Sequence, residues 1–308
     1  MDPPGNPAVD NLNFTEIEKD VFKFVNLVCA GSQHAKAAYG CLLTTQCLVA
    51  ADQTVPPSLK SYAVQVMYVN AAVTTSSVEC YVRRIFDGRS FATRMVEQKQ
   101  DGKTTLVTQI SYHSEEADSC VHQSSMPSVK HPHECPKIDL DHLSDPYMNG
   151  KISLDPVRPE EFKPPMFRHF PYTSRFVDLP AFLGQDPRPQ PAPHYVWLKY
   201  KFPLDQANDA LHRQMFLFIS DVGHLITVFR PHMKNDFAYS LMFSLNHSVH
   251  FHVPRINMNE YILAEFESTK SKNGRSYTRA RYWSQSGEMI GTVCQESIVR
   301  TRGPVSTL

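Results

Sequence analysis

Neither sign of charge prevails in this chain: Lys+Arg and Asp+Glu both number 31 in 308 residues, a formal charge of zero. A nucleic-acid binder needs a basic surface to displace the counterions of phosphates, so no nucleic-acid partner is expected. No stretch approaches the roughly 20 consecutive apolar residues that cross a bilayer, and no membrane span is expected. The start, Met1-Asp2-Pro3-Pro4-Gly5, has neither a basic region nor an apolar one behind it, so no secretory signal is expected. The seven cysteines form no CxxC pair and are odd in number. Without a signal peptide they read as reduced intracellular thiols. Cys120, His122, His131, His133 and Cys135 could be drawn as a zinc site, but they lack a paired ligand pattern. We read them as part of an irregular linker and expect no metal.

What the chain does have is a core-forming composition: 42% apolar and 20% charged residues, outside the range of disordered chains. Proline marks its organisation. Fourteen of the 23 prolines fall between Pro127 and Pro193, and proline fixes φ and removes a backbone donor. The spacing predicts an N-terminal module over 1–116, a Pro-rich irregular connection over 117–194 and a C-terminal module over 195–308.

The two modules repeat each other. Asp87-Gly88-Arg89-Ser90-Phe91 in the first corresponds to Asn273-Gly274-Arg275-Ser276-Tyr277 in the second, an offset of 186, and the same offset carries Gln109 onto Gln295. Each copy has a second polar-Gly turn, Asp101-Gly102 and Ser286-Gly287, one residue out of register. Such pairs tolerate the positive φ of tight hairpins. Strand-like runs flank them at 78–86, 90–98 and 104–112, and at 261–268, 276–285 and 288–298. Links this short make antiparallel meanders. Ahead of each meander lies a helical pattern, over 37–55 and over 205–227. The second is apolar nearly all round and should be buried. One buried helix packed on an antiparallel sheet, present twice, is an α+β arrangement.

Arg84-Ile85-Phe86-Asp87-Gly88-Arg89-Ser90-Phe91-Ala92-Thr93-Arg94 resembles the signature of the type II acyl-CoA thioesterases, bacterial and peroxisomal. Ile219-Ser220-Asp221, the run from Ser244 to His252, and the run from Val293 to Arg300 fit in the same order. The resemblance implies a double hot-dog, two antiparallel sheets each wrapped around a long central helix. It implies hydrolysis of fatty acyl-CoA to a fatty acid and coenzyme A, with no cofactor beyond the coenzyme A of the substrate. By motif, the Asp, hydroxyl and Gln that activate a water are Asp221, Ser244 and Gln295.

The chemistry of these residue types agrees. A thioester has a good leaving group, so a positioned water and a base suffice without a covalent nucleophile. A carboxylate on an apolar helix is a candidate base with a raised pKa. Ser244 can orient the water, and the Gln295 amide can donate to the water or to the developing oxyanion. Taken singly, each has a plainer reading: Asp221 as a helix end beside Gly223, Ser244 as a strand hydroxyl, Gln295 as a structural amide like Gln109.

Other residues read as structural. His247 alternates to the face opposite His250 and His252, which splits a metal cluster and leaves His247 as a strand support. Arg89 and Arg275 suit carboxylate pairing better than CoA phosphates. Cys294 should face away from Gln295, into a core. Against the family pattern, Asn246 replaces an Asp, Gly40-Cys41-Leu42 replaces Gly-Gly-Gln, and Tyr62-Ala63-Val64-Gln65 and Val253-Pro254-Arg255 depart as well. These departures motivate an alternative, a weak or inactive acyl-CoA-binding protein of the same fold. A hot-dog hydratase would want a Gly-Asp-x-Asn-Pro-like setting, which is missing. Ser306-Thr307-Leu308 partly matches a peroxisomal address, so a peroxisomal location is expected, with cytoplasm as the alternative. Exposed sheet edges suggest a homo-oligomer.

Overall fold

The structure is a computed structural model describing residues 7–29, 37–138, 171–182, 188–235 and 239–301. The C-terminal Ser306-Thr307-Leu308 lies outside the described residues. Thirteen strands are described: β1 Phe14–Glu18, β2 Val21–Phe24, β3 Lys60–Tyr68, β4 Val78–Asp87, β5 Phe91–Gln100, β6 Lys103–His113, β7 Lys137–Ile138, β8 Tyr172–Phe176, β9 His194–Tyr200, β10 Tyr239–Phe251, β11 Ile262–Lys272, β12 Arg275–Trp283 and β13 Met289–Thr301. They form one sheet in the order β1-β2-β4-β5-β6-β3-β10-β13-β12-β11-β9-β8-β7. The two expected sheets thus meet edge to edge, where β3 pairs antiparallel with β10 from Ala63↔His250 to Met67↔Asn246. That pairing satisfies backbone groups that two separate sheets would leave open.

The two central helices, Gly40–Asp52 and Asp209–Ile219, are shorter than the sequence suggests. The first is buried on all sides from Cys41 to Ala51. Its polar residues bond to backbone: Thr45 Oγ1 donates to the Cys41 carbonyl at 2.6 Å, and Gln46 Nε2 donates to the Asn11 carbonyl at 2.9 Å. The second begins where the Asn208 side chain accepts from the Leu211 N–H at 3.0 Å, an N-cap. It does not run on to Thr227. Ser220 closes it, Gly223 adopts φ +106°, and a separate short helix follows over His224–Phe229. The Phe266 ring forces glycine here, because a Cβ on Gly223 would stand 2.6 Å from it. Helices and sheet share one core spanning both halves, with Leu42, Leu48, Val64, Leu106, Phe216, Val249 and Tyr282 among its buried members.

The connection over 117–194 is less irregular than its prolines imply. It supplies β7 and β8, which extend the C-terminal half beyond β9, and a turn of helix at Leu179–Phe182. Proline excludes a central strand but not a short one at the sheet edge. The segment also docks on the C-terminal half: Gln123 bridges the Gly287 carbonyl at 2.7 Å and the Met289 N–H at 3.0 Å.

The repeat holds for the meanders, with two corrections. Asn273-Gly274 and Asp101-Gly102 are two-residue turns with positive φ throughout. Asp87-Gly88 is not: neither residue has positive φ, and a three-residue loop joins β4 to β5. Asp87 instead takes the guanidinium of fully buried Arg94. Gln109 is not the structural counterpart of Gln295. Gln295 pairs with Thr278 and is buried, whereas Gln109 pairs with Met95 and is exposed. The β5–β6 pairing is displaced by an odd number of residues relative to β12–β13, and an odd displacement inverts the face. Thr278 maps at the 186 offset onto Ala92, whose partner is Tyr112.

Candidate active site

Asp221 occupies the turn between the second central helix and His224–Phe229, where the helix has ended but the glycine kink has not yet redirected the chain. The turn is tightly held. The Val222 N–H donates to the Ile219 carbonyl at 2.9 Å. From the sheet, the Tyr282 hydroxyl donates to the Ser220 carbonyl at 3.0 Å, and from the other half the Tyr39 hydroxyl donates to the Phe218 carbonyl at 3.0 Å.

Gln295 stands on β13, fully buried, on the face toward this turn. Ser244 reaches the same face through an irregularity in β10. Ser244 pairs with Ser297 and Asn246 with Glu296, so Leu245 is an extra residue without a partner. Strict alternation would put Ser244 on the face opposite His247. The bulge turns it back, an effect found next to active sites. Gln295 Nε2 accordingly donates to Ser244 Oγ at 2.9 Å, and the same side chain favours the ionised form of the Asp221 carboxyl. Ser244 and Gln295 are thus in direct contact, and Asp221 is near enough for its carboxyl to feel the Gln295 amide.

Burial pushes the Asp221 carboxyl up to about 6, against the opposing effect of the Gln295 amide. Its Oδ1 is shut off from solvent and has no hydrogen-bond partner among the described residues. One acceptor position of the carboxylate therefore stands open beside an amide and a hydroxyl. Cys41, in the first turn of the other central helix, packs against Ser220 and Asp221, and burial holds its thiol well above its ordinary value, with the Asp221 charge adding to it. The N-terminus of that helix thus faces the site, and Tyr39 at its N-cap contributes no side-chain cap.

Two features escaped the sequence. His247 is not merely a strand support: its Nδ1 is 2.7 Å from Gln295 Oε1 and its Nε2 is 2.8 Å from Ser220 Oγ. The in-register pair His247↔Gln295 on neighbouring strands is the signal that would have found it. The second is another buried carboxyl, Asp52, also pushed by burial to about 6. Both its oxygens are partnered, Oδ1 accepting from the Tyr112 hydroxyl and Oδ2 from Gln214 Nε2, each at 2.8 Å. It lies at the end of the first central helix as Asp221 lies past the end of the second, and donors occupy the place that Asp221 leaves open.

The other residues sort as follows. Arg275 pairs with Glu296 at 2.9 Å on the surface. Asn246 donates to the second Glu296 oxygen at 3.2 Å and accepts from the Glu296 N–H at 3.1 Å. An Asp at 246 would face that carboxylate, which the neutral amide avoids. Cys294 does point away from Gln295, but it is only half-buried and lies on the outer face rather than in a core. It borders a hollow of about 540 Å³ that includes His250, Tyr277, Arg279 and Arg281. The sheet separates that hollow from Gln295, and its arginines are paired with Glu267 and Glu265. His131 and His133 stack on each other at 5.2 Å, and Cys135 packs with Trp197 and Trp283.

Comparison with known proteins follows the same outline. A family model described as the acyl-CoA thioesterase N-terminal domain matches residues 30–113, and one described as the acyl-CoA thioesterase C-terminal domain matches residues 149–299. The chain is 28% identical over 317 residues to acyl-coenzyme A thioesterase 8 of Homo sapiens, covering 99% of this chain and 93% of that protein. It is 24% identical over 268 residues to acyl-CoA thioesterase 2 of Haemophilus influenzae, covering 86% and 88%. An acyl-CoA thioesterase II structure from Mycobacterium marinum superposes with a TM-score of 0.74 at 20% identity, covering 97% of this chain and 99% of that one. A hot-dog protein from Alicyclobacillus acidocaldarius gives 0.70 at 18% identity, covering 98% and 100%. The order of the strands, the two matched domains and the full-length relatives agree, and the chain belongs to the acyl-CoA thioesterase family, with the double hot-dog fold.

Proposed function

We propose that the chain hydrolyses fatty acyl-CoA to a free fatty acid and coenzyme A, using a water held by Asp221, Ser244 and Gln295. The observation that carries this reading is the sealed, unpartnered Oδ1 of Asp221 beside the Gln295 amide and the Ser244 hydroxyl. A base pushed to about 6 is largely ionised at neutral pH yet strong enough to take a proton from a polarised water.

In the step that follows, the water oxygen bonds to the thioester carbon as its proton passes to Asp221. The carbonyl oxygen becomes an oxyanion, for which the Gln295 N–H or the N–H groups opening the first central helix are the donors at hand. Collapse expels the CoA sulfur, which recovers the proton from Asp221. No cofactor enters the balance. The acyl chain is assigned to the apolar space beside the second central helix around Phe216 to Leu225. Pairing of chains into a homo-oligomer and a peroxisomal address at Ser306-Thr307-Leu308 belong to the same reading.

The test is CoA release from a panel of acyl-CoA esters, followed with a thiol reagent. Turnover that falls in Asp221→Ala and Gln295→Ala while both stay folded supports hydrolysis at this site. Saturable binding without turnover in the wild type would establish the binding-protein alternative instead.

A further inference from the structure

Gln295 carries out its role only if its amide points one way round, and the groups behind it settle which way. Gln295 favours the ionised form of Asp221, and an ionised carboxylate is acceptor-only, so the end of the amide that serves it is the NH2 group, the same end that lies 2.9 Å from Ser244 Oγ. The carbonyl end, Oε1, then faces His247 Nδ1 at 2.7 Å. Two acceptors cannot meet at that distance, so Nδ1 carries the imidazole proton. A neutral imidazole has one N–H. Nε2 is therefore an acceptor, and Ser220 Oγ, 2.8 Å away, must donate to it.

Ser220 has a competing use for its proton, because the Leu217 carbonyl also lies 2.8 Å from its Oγ. Were the hydroxyl turned to Leu217, the imidazole proton would move to Nε2 and a bare Nδ1 would face Gln295. The amide would then flip and present its oxygen to Asp221. The chain Ser220–His247–Gln295 thus has two self-consistent polarities, and only one serves an ionised Asp221.

We propose that Ser220 and His247 are positioning residues that hold the Gln295 amide with its N–H groups toward the reacting water. The proposal rests on the reading of Gln295 given above. The surroundings fit a fixed ring. His247 is 1% exposed, and the His224 ring lies edge-on with centroids 5.6 Å apart. Burial lowers the His247 imidazole to about 4, which keeps it neutral where the enzyme works. It orients the amide and does not shuttle the proton.

The experiment compares His247→Leu, His247→Asn, Ser220→Ala and Gln295→Ala in the full-length chain. His247→Leu is expected to lower kcat about 10–100-fold, the range for removing an orienting partner, with little change in KM. His247→Asn, whose amide N–H stands near the place of Nδ1–H, is expected to restore most of that loss. Ser220→Ala is expected to show a smaller fall in kcat. Equal kcat in the Asn and Leu variants, or wild-type kcat in a folded His247→Leu, overturns the proposal. Wild-type turnover in Gln295→Ala would instead overturn the underlying reading. Nitrogen NMR of the wild-type ring gives a measure independent of any variant's folding: a protonated Nδ1 and a bare Nε2 at neutral pH are expected, and the opposite tautomer or a charged ring contradicts the proposal.

Discussion

Two buried aspartates share a raised pKa of about 6, and the pKa does not tell them apart. Their partners do. Asp52 is closed by Tyr112 and Gln214, whereas Asp221 keeps an open oxygen. Replacing each therefore gives a different result. Asp221→Asn should cut turnover by about 10²–10⁴, the range for a lost general base. It should also raise the melting temperature at neutral pH. A carboxyl whose pKa is higher in the folded state binds more protons there between about 4 and 6, so stability declines as pH rises through that window and stays lower above it. Removing the charge relieves that cost, and the gain should vanish below pH 4. Asp52→Ala should leave turnover per folded molecule unchanged. It should lower the melting temperature, since an unpaired buried donor costs about 1–3 kcal/mol. Thermal melts at several pH values, with CoA-release assays alongside, check both. Asp221 was singled out by the motif of the family that the chain resembles; by its polarity alone it read as a helix end beside Gly223. Asp52 was not singled out, because its compensating donors come from β6 and the second central helix, far away in sequence.

Secondary-structure elements repeat this division. The meanders could be read from turn residues and alternation, and most strand boundaries fell within a few residues of the observed ones. Two departures from regularity build the site, and neither is written in periodicity. The bulge at Leu245 turns Ser244 to the face that carries Gln295. The kink at Gly223 ends a run of apolar residues that otherwise reads as one continuous helix. A hydrophobic pattern reports burial, and both sides of a kink can be buried. Gly223→Ala tests the kink. The new Cβ would meet Phe266 and would occupy a positive-φ position, so a loss exceeding about 1 kcal/mol is expected. The Asp221 turn should shift with it, lowering kcat in the protein that still folds. A stable, fully active Gly223→Ala would show that the kink does not set the position of Asp221.

Across the whole molecule the halves are fastened together. Besides β3–β10, Arg213 donates to the Ser61 carbonyl at 2.7 Å, Lys60 pairs with Asp209 at 2.9 Å, and Gln214 reaches Asp52. The Asp221 turn is held from both sides, by Tyr39 and by Tyr282. The repeat indicated two similar units but not that each completes the other, because no pattern within one copy specifies a contact with its twin. A single cooperative transition is expected. The chain's two tryptophans, Trp197 and Trp283, both lie in the C-terminal half, so their fluorescence reports that half alone while circular dichroism reports both. Coincident melting curves support the fastening, and separated ones would contradict it.

The most direct test of the proposed hydrolysis is the pH dependence of kcat/KM for CoA release, in wild type and in Asp221→Asn. In the wild type, kcat/KM should rise as Asp221 ionises, level off above a single pKa near 6, and in Asp221→Asn lose that inflection along with most of the rate. A folded Asp221→Asn enzyme that keeps both the wild-type rate and the wild-type inflection would show that another group activates the water.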